Sequence, residues 1–209
     1  MGRLRVGVLA SGRGSNLQAL IDRSQAGDID VDIALVLSDV PNAHALDRGR
    51  AAGIPALHLP PGRFRTKLTP EAETRYIEVL EEHGVEVVAL AGFMRILHDG
   101  FLSHYAGRVV NVHPALLPAF PGLHGPRQAL EYGVKWAGAT VHFVDAGVDT
   151  GPIILQAAVP VMDDDTEDTL AARILEQEHR IYPEALQLLA KGKLRVAGRA
   201  VSVAPDGDA

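Results

Sequence analysis

The sequence contains no cysteine, which excludes disulfide bonds, thiolate catalysis and cysteine-ligated zinc sites. Basic residues are outnumbered, with 20 Lys+Arg against 26 Asp+Glu and a formal net charge of −6. A surface that coats nucleic acid or membranes is therefore not expected, although a local basic patch stays open. No apolar run approaches the roughly 18 residues of a membrane span, and residues 1–10 lack the apolar core and cleavage site of a signal peptide. We expect a cytoplasmic protein.

The residues that are present fit a globular chain, with 47% hydrophobic and 22% charged residues in a length of 209, which suits one large domain over residues 1–209. Short β-branched runs alternate with amphipathic segments. This alternation predicts an α/β fold with a mostly parallel sheet flanked by helices. The predicted strands are Leu4–Ala10, Ile33–Ser38, Ala56–Leu59, Glu86–Ala91, Val109–His113, Ala139–Val144 and Ile153–Val159, and the predicted helices are Asn16–Gln25, Ala43–Ala52, Pro70–His83 and about Thr166 to Leu189.

Prolines mark two special positions. Four of them fall between His113 and Pro126, too many for a helix or an inner strand, in a segment too apolar for a flexible linker. We expect an ordered, function-bearing loop there. Pro183 falls inside the last predicted helix and is expected to bend or interrupt it.

A glycine-rich loop, Ser11-Gly12-Arg13-Gly14-Ser15-Asn16, joins the first predicted strand to the first helix. Free N–H groups and the helix dipole favour an anion at such a position, and glycines let a phosphate approach the backbone. The loop is not a Walker A motif, because no Gly-Lys-Ser/Thr follows. As a dinucleotide fingerprint it has Leu17 at the third glycine position, although Asp39 lies near the distance expected of a ribose-binding acid. A plain strand-to-helix turn is the other reading.

Asn111 and His113 form a second candidate, because residues two apart on a strand face the same side. An amide can hydrogen-bond a carbonyl oxygen while an imidazole moves a proton. Asp149, in the loop after another predicted strand, is the best-placed carboxylate for orienting or charging that imidazole. A structural histidine and a turn-forming aspartate remain the alternatives.

Other kinds of chemistry lack their motifs. The 9 histidines include no His-x-x-x-His pair, and there is no Gly-x-Ser-x-Gly elbow, so we expect no metal site and direct attack by a substrate nucleophile. Glu178 falls on the apolar stripe of the last helix, where a carboxylate needs either a cation at the core edge or a ligand. Arg63, Arg65 and Lys67 alternate after the third strand, in a pattern that is most often solvated.

Together these segments closely resemble the phosphoribosylglycinamide formyltransferase family, the folate-dependent glycinamide ribonucleotide transformylases of purine synthesis. The resemblance covers nearly the whole chain. The motifs that carry it are Ser11-Gly12-Arg13-Gly14-Ser15-Asn16-Leu17, Leu90-Ala91-Gly92-Phe93-Met94-Arg95-Ile96-Leu97, Asn111-Val112-His113-Pro114-Ala115-Leu116-Leu117-Pro118, Phe120-Pro121-Gly122-Leu123-His124, Asp149-Thr150-Gly151-Pro152-Ile153-Ile154 and Gln177-Glu178-His179.

The resemblance implies a formyltransferase fold with two halves. A Rossmann-like half at about residues 1–110 would carry the nucleotide phosphate, and a half with a mixed sheet at about residues 111–209 would carry folate and catalysis. The co-substrate implied is 10-formyltetrahydrofolate, and the acceptor is glycinamide ribonucleotide. We expect a monomer or a weak homodimer that needs no metal.

The family's functional residues carry over by position. Gly14, Ser15 and Asn16 resemble the phosphate contacts, and Glu178 resembles the acceptor of hydrogen bonds from the ribose hydroxyls. The catalytic set implied is Asn111, His113 and Asp149. The folate contacts implied are Lys67, Met94, Arg95, Ile96, Leu97, Asp145, Ala146, Gly147 and Val148.

In the mechanism that the resemblance implies, the neutral glycyl amine attacks the formyl carbonyl while Asn111 and protonated His113 stabilise the oxyanion. Asp149 favours the imidazolium, and a proton passes to N10. Three departures from the family concern loop contacts and recognition of the folate tail. Ala115 replaces a serine, Gly125-Pro126 replaces a Thr-His pair, and Lys67 replaces an arginine, whose bidentate fork it lacks.

Rival functions are a dinucleotide oxidoreductase, which requires nicotinamide cofactor binding, and a nucleotide-sensing module, which turnover would exclude. Within the family, methionyl-tRNA formyltransferases append a basic domain and formyltetrahydrofolate hydrolases add an N-terminal regulatory domain. The 209 residues are expected to leave space for neither.

Overall fold

The structure, a computed structural model, describes residues 2–205, so residue 1 and residues 206–209 of the predicted domain lie outside the described residues. Its strands are β1 (Leu4–Leu9), β2 (Val31–Ser38), β3 (Ala56–His58), β4 (Val87–Leu90), β5 (Val109–His113), β6 (Trp136–Phe143), β7 (Ile153–Pro160), β8 (Leu194–Ala197) and β9 (Ala200–Val203). Its helices are α1 (Ser15–Gln25), α2 (His44–Ala51), α3 (Pro70–Glu82), α4 (Asp99–His104), α5 (Gly125–Tyr132) and α6 (Glu167–Ala190).

Hydrogen bonding orders the strands β3-β2-β1-β4-β5-β6-β7 in one seven-stranded sheet, and β8 and β9 form a separate two-stranded pair. The chain divides into two compact units, Met1–Asn111 and Val112–Ala209. The prediction of an α/β fold with a mostly parallel sheet is confirmed.

The first unit contains the parallel strands. β1 pairs with β2 and β4, β2 pairs with β3, and β4 pairs with β5, all in parallel. Strands β1, β2 and β4 are buried along most of their length, as expected for strands with helices on both faces. Because neighbouring parallel strands end at the same edge of a sheet, the loops after β1, β2 and β4 lie side by side there.

The ends of α3 show how the sequence sets a helix boundary. Thr69 is the N-cap, and its side chain accepts a hydrogen bond from the Ala72 N–H, while Pro70 occupies the first helical position. Gly84 follows the C-cap in the left-handed region, with φ of 63°. The predicted helix Pro70–His83 is confirmed to within one residue.

The second unit changes the strand direction. β6 and β7 are antiparallel and pair from Trp136↔Pro160 to His142↔Ile153, with an irregularity between Val141 and His142. Antiparallel pairing here confirms the mixed sheet predicted for the C-terminal half. The β8 and β9 pair was not predicted.

Helix α6 is the longest element. Thr166 caps it by accepting a hydrogen bond from the Thr169 N–H, and its predicted apolar stripe is buried at Leu170, Ile174, Ile181 and Ala185, whereas Leu188 is half-buried. The expected interruption at Pro183 was wrong, because the helix continues through that residue with Pro183 buried. Among residues 2–205, no helix is both long and apolar enough to cross a membrane.

Candidate active site

The glycine-rich loop leads directly into α1. Gly14 is the N-cap residue and has φ of 69°, and a Cβ placed on it would lie 2.8 Å from the Cα of Ala45 in α2. Glycine is required here both for its left-handed backbone and for this close approach. Ser15 and Asn16 open the helix, so their backbone N–H groups belong to its first turn.

Asp39, at the carboxyl end of β2, is buried with 5% of its surface exposed. Its Oδ1 accepts a hydrogen bond from Ser11 Oγ at 2.5 Å, and its Oδ2 lies 2.6 Å from Arg95 Nε. Both carboxylate oxygens thus have partners within the protein. This arrangement weighs against the ribose-binding role that a dinucleotide site would give to Asp39.

The segment 94–97, predicted to contact folate, presents two kinds of side chain. Met94 and Ile96 are exposed by 55% and 44%, so they offer an apolar surface, whereas Leu97 is buried in the core. The Arg95 guanidinium donates hydrogen bonds to the Phe64 carbonyl at 3.0 Å and to the Arg65 carbonyl, in addition to its pair with Asp39.

Lys67 lies in the neighbouring loop and is joined to Ile96 by an isolated parallel bridge. Its Nζ lies 4.8 Å from the Phe64 ring centroid, and Arg63 approaches the same ring. A cavity of about 580 Å³ opens beside these residues, with His98 also in its wall. The loop can therefore present two cations to an anionic group.

The second unit brings His113 and Asp149 together, with Nδ1 3.3 Å from Oδ2 and exposed side-chain fractions of 5% and 12%. His113 Nε2 lies 2.9 Å from the Phe120 carbonyl oxygen. Both neighbours of the ring are hydrogen-bond acceptors, so only the doubly protonated imidazolium can donate to both.

A second histidine, His142, was not predicted to belong to this cluster. Its Nε2 lies 3.6 Å from the other carboxylate oxygen of Asp149, and its side chain is 2% exposed. The only sequence signal was a histidine inside an otherwise apolar strand, two residues after Thr140. Such a pattern does not distinguish a packed histidine from one that contacts a carboxylate.

The pKa of Asp149 is lowered even though burial alone raises it. Hydrogen bonds from His142 and from the Gly122 N–H, which lies 2.7 Å from Oδ2, together with the charge of His113, outweigh the cost of burial. Asp149 is therefore ionised at neutral pH and supplies a fixed negative charge to the two imidazole rings.

The loop that carries Asp149 is shaped by short-range contacts. Asp149 has φ of 54°, and Gly151 approaches the Phe143 carbonyl so closely that a Cβ there would lie 1.8 Å from the oxygen. Asp145 accepts hydrogen bonds from the Gly147 N–H at 3.1 Å and from Thr150 Oγ1 at 2.5 Å. Residues 145–148 are exposed, including the apolar side chain of Val148 at 52%.

The proline-rich loop after His113 is ordered by buried polar groups. Thr140 Oγ1 donates to the Ala115 carbonyl at 2.7 Å and accepts from the Leu117 N–H at 3.1 Å, and Gln156 donates to the Leu117 carbonyl at 2.9 Å. The loop ends earlier than predicted, because α5 begins at Gly125. The expectation of an ordered loop is otherwise confirmed.

Two departures from the family pattern are neighbours in space. A Cβ placed on Gly125 would lie 3.4 Å from the Cβ of Ala115 and 2.8 Å from the Pro114 carbonyl oxygen. A small residue at position 125 is therefore needed where α5 begins against this loop.

Glu178 lies on the buried face of α6, with 7% of its surface exposed. Burial raises the pKa of Tyr182 well above its ordinary value, and the negative charge of Glu178 adds to that shift. Next to it, burial lowers the pKa of His179, whose Nε2 is buried with no hydrogen-bond partner in the part of the chain that the structure describes. This turn of α6 therefore carries buried polar groups inside an apolar stripe.

Within residues 2–205 no three histidine or carboxylate side chains are grouped so that they could hold a metal ion. The family described as Formyl transferase matches residues 4–186, which is more than half of the chain. The chain belongs to the formyl transferase family. This formyl transferase is 46% identical over 193 residues to the phosphoribosylglycinamide formyltransferase of Escherichia coli (strain K12), an alignment that covers 92% of this chain and 90% of that protein.

Two further comparisons extend this result. The formyl transferase is 50% identical over 193 residues to the trifunctional purine biosynthetic protein adenosine-3 of Drosophila melanogaster, covering 91% of this chain but spanning only 14% of that relative's length. The crystal structure of glycinamide ribonucleotide transformylase 1 from Symbiobacterium toebii has a TM-score of 0.93 and 50% identity, covering 98% of this chain and 96% of that one. The predicted family and the formyltransferase fold are confirmed.

Proposed function

We propose that this chain transfers the formyl group of 10-formyltetrahydrofolate to the glycyl amine of glycinamide ribonucleotide. The products are formylglycinamide ribonucleotide and tetrahydrofolate, in the formation of purines. The observation that carries the proposal is the buried His113 and Asp149 pair, with Nδ1 3.3 Å from Oδ2, in a formyl transferase chain. It places an imidazole, which when protonated can stabilise the oxyanion of an acyl transfer, against the fixed negative charge of Asp149.

The catalytic roles proposed are those of Asn111, His113 and Asp149. Asn111 and His113 lie two residues apart on β5, so their side chains share one face of the strand. An Asn111 amide N–H can hydrogen-bond the carbonyl oxygen of the formyl group, and so can the His113 Nε2–H once it exchanges the Phe120 carbonyl, 2.9 Å away, for the substrate. Negative charge develops on that oxygen as the amine adds to the carbonyl carbon. Asp149 keeps His113 charged while this occurs, because its own lowered pKa holds it as an anion.

The proton balance of the transfer follows from the same groups. The attacking amine becomes positively charged when its nitrogen bonds to the formyl carbon, and N10 needs a proton when its bond to that carbon breaks. His113 is the candidate carrier between them, since its ring can release one proton and regain another within hydrogen-bond reach. Folate supplies the activated formyl group, and no acyl-enzyme is formed.

Binding roles are proposed for the two halves of the chain, about residues 1–110 and 111–209. Gly14, Ser15 and Asn16 would bind the phosphate through the start of α1, and Glu178 would accept hydrogen bonds from the ribose hydroxyls. Folate would contact the exposed apolar side chains and loop backbones of the remaining predicted residues, which are Lys67, Met94, Arg95, Ile96, Leu97, Asp145, Ala146, Gly147 and Val148. The exposed side chains of Met94 and Ile96 suit a flat ring system.

We further propose a cytoplasmic location, a monomeric or weakly dimeric state, and no requirement for metal, nucleic acid or membrane. Sedimentation of the purified chain over a range of concentrations tests the assembly state. Dialysis against a chelator tests the metal, since activity should be unchanged.

The decisive experiment measures loss of 10-formyltetrahydrofolate with and without glycinamide ribonucleotide. Loss that requires the ribonucleotide, with formation of its formyl derivative, supports the transfer. Loss without it would indicate hydrolysis instead, and no turnover together with nucleotide binding would indicate a sensing module. His113→Asn should abolish the reaction, whereas the control His104→Asn, which removes a surface histidine 3.0 Å from Glu81, should not.

A further inference from the structure

Asp39 is a buried carboxylate that the proposed reaction does not use. Its side chain is 1% exposed and it pairs with Arg95, whose side chain is 17% exposed. Two segments approach it from different strands, because Ser11 follows β1 while Arg95 lies beyond β4. Asp39 itself follows β2, so one anion lies where the ends of three parallel strands meet.

Hydrogen bonds around Asp39 link the glycine-rich loop to segment 94–97. Ser11 Oγ donates to Asp39 Oδ1 at 2.5 Å and accepts from the Met94 N–H at 2.8 Å. One hydroxyl therefore joins the glycine-rich loop, Asp39 and the segment proposed to contact folate. The same segment is anchored a second time, since Arg95 binds Asp39 Oδ2.

Arg95 also links segment 94–97 to the loop that contains residues 64–67. Its guanidinium donates to the carbonyl oxygens of Phe64 and Arg65, and the Ile96 N–H donates to the Thr66 carbonyl at 2.9 Å. The loop that bears Lys67 is thereby tied to segment 94–97. Without Asp39, the half-buried Arg95 charge would have only carbonyl oxygens to compensate it, which is unfavourable.

A buried ion pair is often replaceable by apolar residues at no cost in stability, so its presence is poorly explained by stability alone. The pair fixes the orientation of the Arg95 side chain, because a guanidinium held by one carboxylate and two carbonyls has a single arrangement. The exposed side chains of Met94 and Ile96 have no such constraint of their own.

We propose that Asp39 is a positioning residue that holds segment 94–97 and the Lys67 loop in the arrangement that binds folate, and that it acts through Ser11 and Arg95. The inference rests on the proposed function for the identity of the ligand. It also makes a claim about the ligand-free chain, which is that Asp39 orders the backbone of this segment.

The test compares Asp39→Asn with Asp32→Asn. Asp32 lies near the start of β2, whereas Asp39 directly follows its end, and Asp32 also pairs with an arginine, Arg5, at 3.0 Å. The two changes therefore remove the same charge at opposite ends of one strand. In the ligand-free chain, Asp39→Asn should accelerate hydrogen exchange of the Met94 amide by at least about tenfold, because the charge-assisted hydrogen bond that anchors the adjacent Arg95 is lost. Exchange of the Ala91 amide, which bonds the Leu9 carbonyl, should be unchanged.

Binding is measured separately with tetrahydrofolate and with glycinamide ribonucleotide by titration calorimetry. Asp39→Asn should weaken tetrahydrofolate binding about tenfold and change ribonucleotide binding less than about twofold, because its side-chain oxygen can still accept from Ser11. The KM for the folate substrate should rise more than kcat falls. Asp32→Asn should change none of these values.

A second variant, Ser11→Ala, keeps the ion pair and removes only the hydroxyl that accepts from Met94, so it tests the connection if Asp39→Asn does not fold. Unchanged Met94 exchange in the folded variants would overturn the proposal, as would faster exchange with unaltered tetrahydrofolate affinity. A native chain that does not bind tetrahydrofolate would overturn the proposed function instead, while the exchange rates would still report whether Asp39 orders the segment.

Discussion

Asp39 in the first unit and Asp149 in the second are both loop carboxylates that follow strands, and both carboxylate oxygens of each have partners. Asp39 faces Arg95 and a serine hydroxyl, whereas Asp149 faces His113, His142 and a backbone N–H. The guanidinium carries a permanent charge, and the imidazoles do not. The first carboxylate can therefore only hold its partners in place, while the second can also change how strongly its partners hold a proton.

The comparison shows that burial and charge alone do not identify a catalytic carboxylate. What distinguishes the two sites is whether the partner can titrate near neutral pH. Predictions that alter one site and spare the other test this distinction.

The largest effect is expected for Asp149→Asn. Turnover should fall by roughly 10²-fold or more, the range associated with a misplaced proton-transfer group, whereas binding of both substrates should suffer less. Steady-state kinetics with Asp163→Asn as the control check this, because Asp163 is fully exposed beside Lys135. Near-wild-type turnover in Asp149→Asn would remove this carboxylate from the catalytic set.

The same variant should also change how the stability of the fold depends on pH. Because the pKa of Asp149 is lowered in the folded chain, its interactions stabilise the fold above the ordinary carboxyl pKa and lose that contribution as the pH falls. Urea unfolding between about pH 3 and 7 should show less acid destabilisation in Asp149→Asn.

The pH–rate profile of Asp149→Asn should also differ from that of the wild type. Its basic limb should move to lower pH, because loss of the carboxylate disfavours the imidazolium. Identical profiles would contradict the assignment.

Glu178→Ala is expected to weaken ribonucleotide binding by roughly 1 to 3 kcal/mol while leaving folate binding nearly unchanged, since hydrogen bonds to a charged acceptor are lost. Calorimetric titration of each ligand measures this, with Glu176→Ala on the exposed face of the same helix as the control. Equal damage to both ligands, or unfolding alone, would favour a structural role for Glu178.

Gly125→Ala should lower the free energy of unfolding by about 1 to 2 kcal/mol, because its Cβ would lie 2.8 Å from the Pro114 carbonyl oxygen. Gly100→Ala is the matched control in the first turn of α4, where the nearest atom is 3.7 Å away, and it should be neutral or stabilising. Equal effects of the two changes on urea unfolding would show that the loop after His113 moves to accommodate the added methyl group without loss of stability.

The smallest effect concerns Lys67. Lys67→Gln should reduce the preference for polyglutamylated over monoglutamylated tetrahydrofolate by about 0.5 to 1 kcal/mol at low salt, and less at high salt. Arg95 should contribute little to this preference, since its guanidinium is committed to Asp39 and two carbonyl oxygens. Lys135→Gln is the surface control, and salt-independent affinities in the wild type would refute an electrostatic role.

Much of the sheet could be predicted because β-branched runs and turn residues mark the strands of a parallel core. Val109–His113 was correct to the residue, and the strands from β1 to β4 differ by at most two residues at either end. Four elements were missed for physical reasons. Helix α4 is six residues long and shows no periodicity, Pro126 was interpreted as a helix breaker although it lies in the first turn of α5, and β8 and β9 are mostly exposed.

In the candidate site too, some contacts could be predicted from the sequence and others could not. His113 and Asp149 could be paired from the sequence because His113 ends one strand and Asp149 lies in the loop after another, and the structure places them in contact. The partners of Asp39 could not be foreseen, since Ser11, Asp39 and Arg95 are far apart in the chain and any of them has a plausible surface role. His142 was missed because a side chain inside a strand gives no sign of the carboxylate that it meets.

Proline in the middle of α6 has a consequence for how that helix opens. Pro183 has no N–H to donate to the carbonyl of His179, so the backbone ladder has a gap one turn after Glu178. Neighbouring residues keep their helical hydrogen bonds across this position, so α6 is weakened at one point rather than divided. Amide protons of the turn around Pro183 should therefore exchange faster than those in the middle of either flanking stretch, beside the residue proposed to hold the ribose.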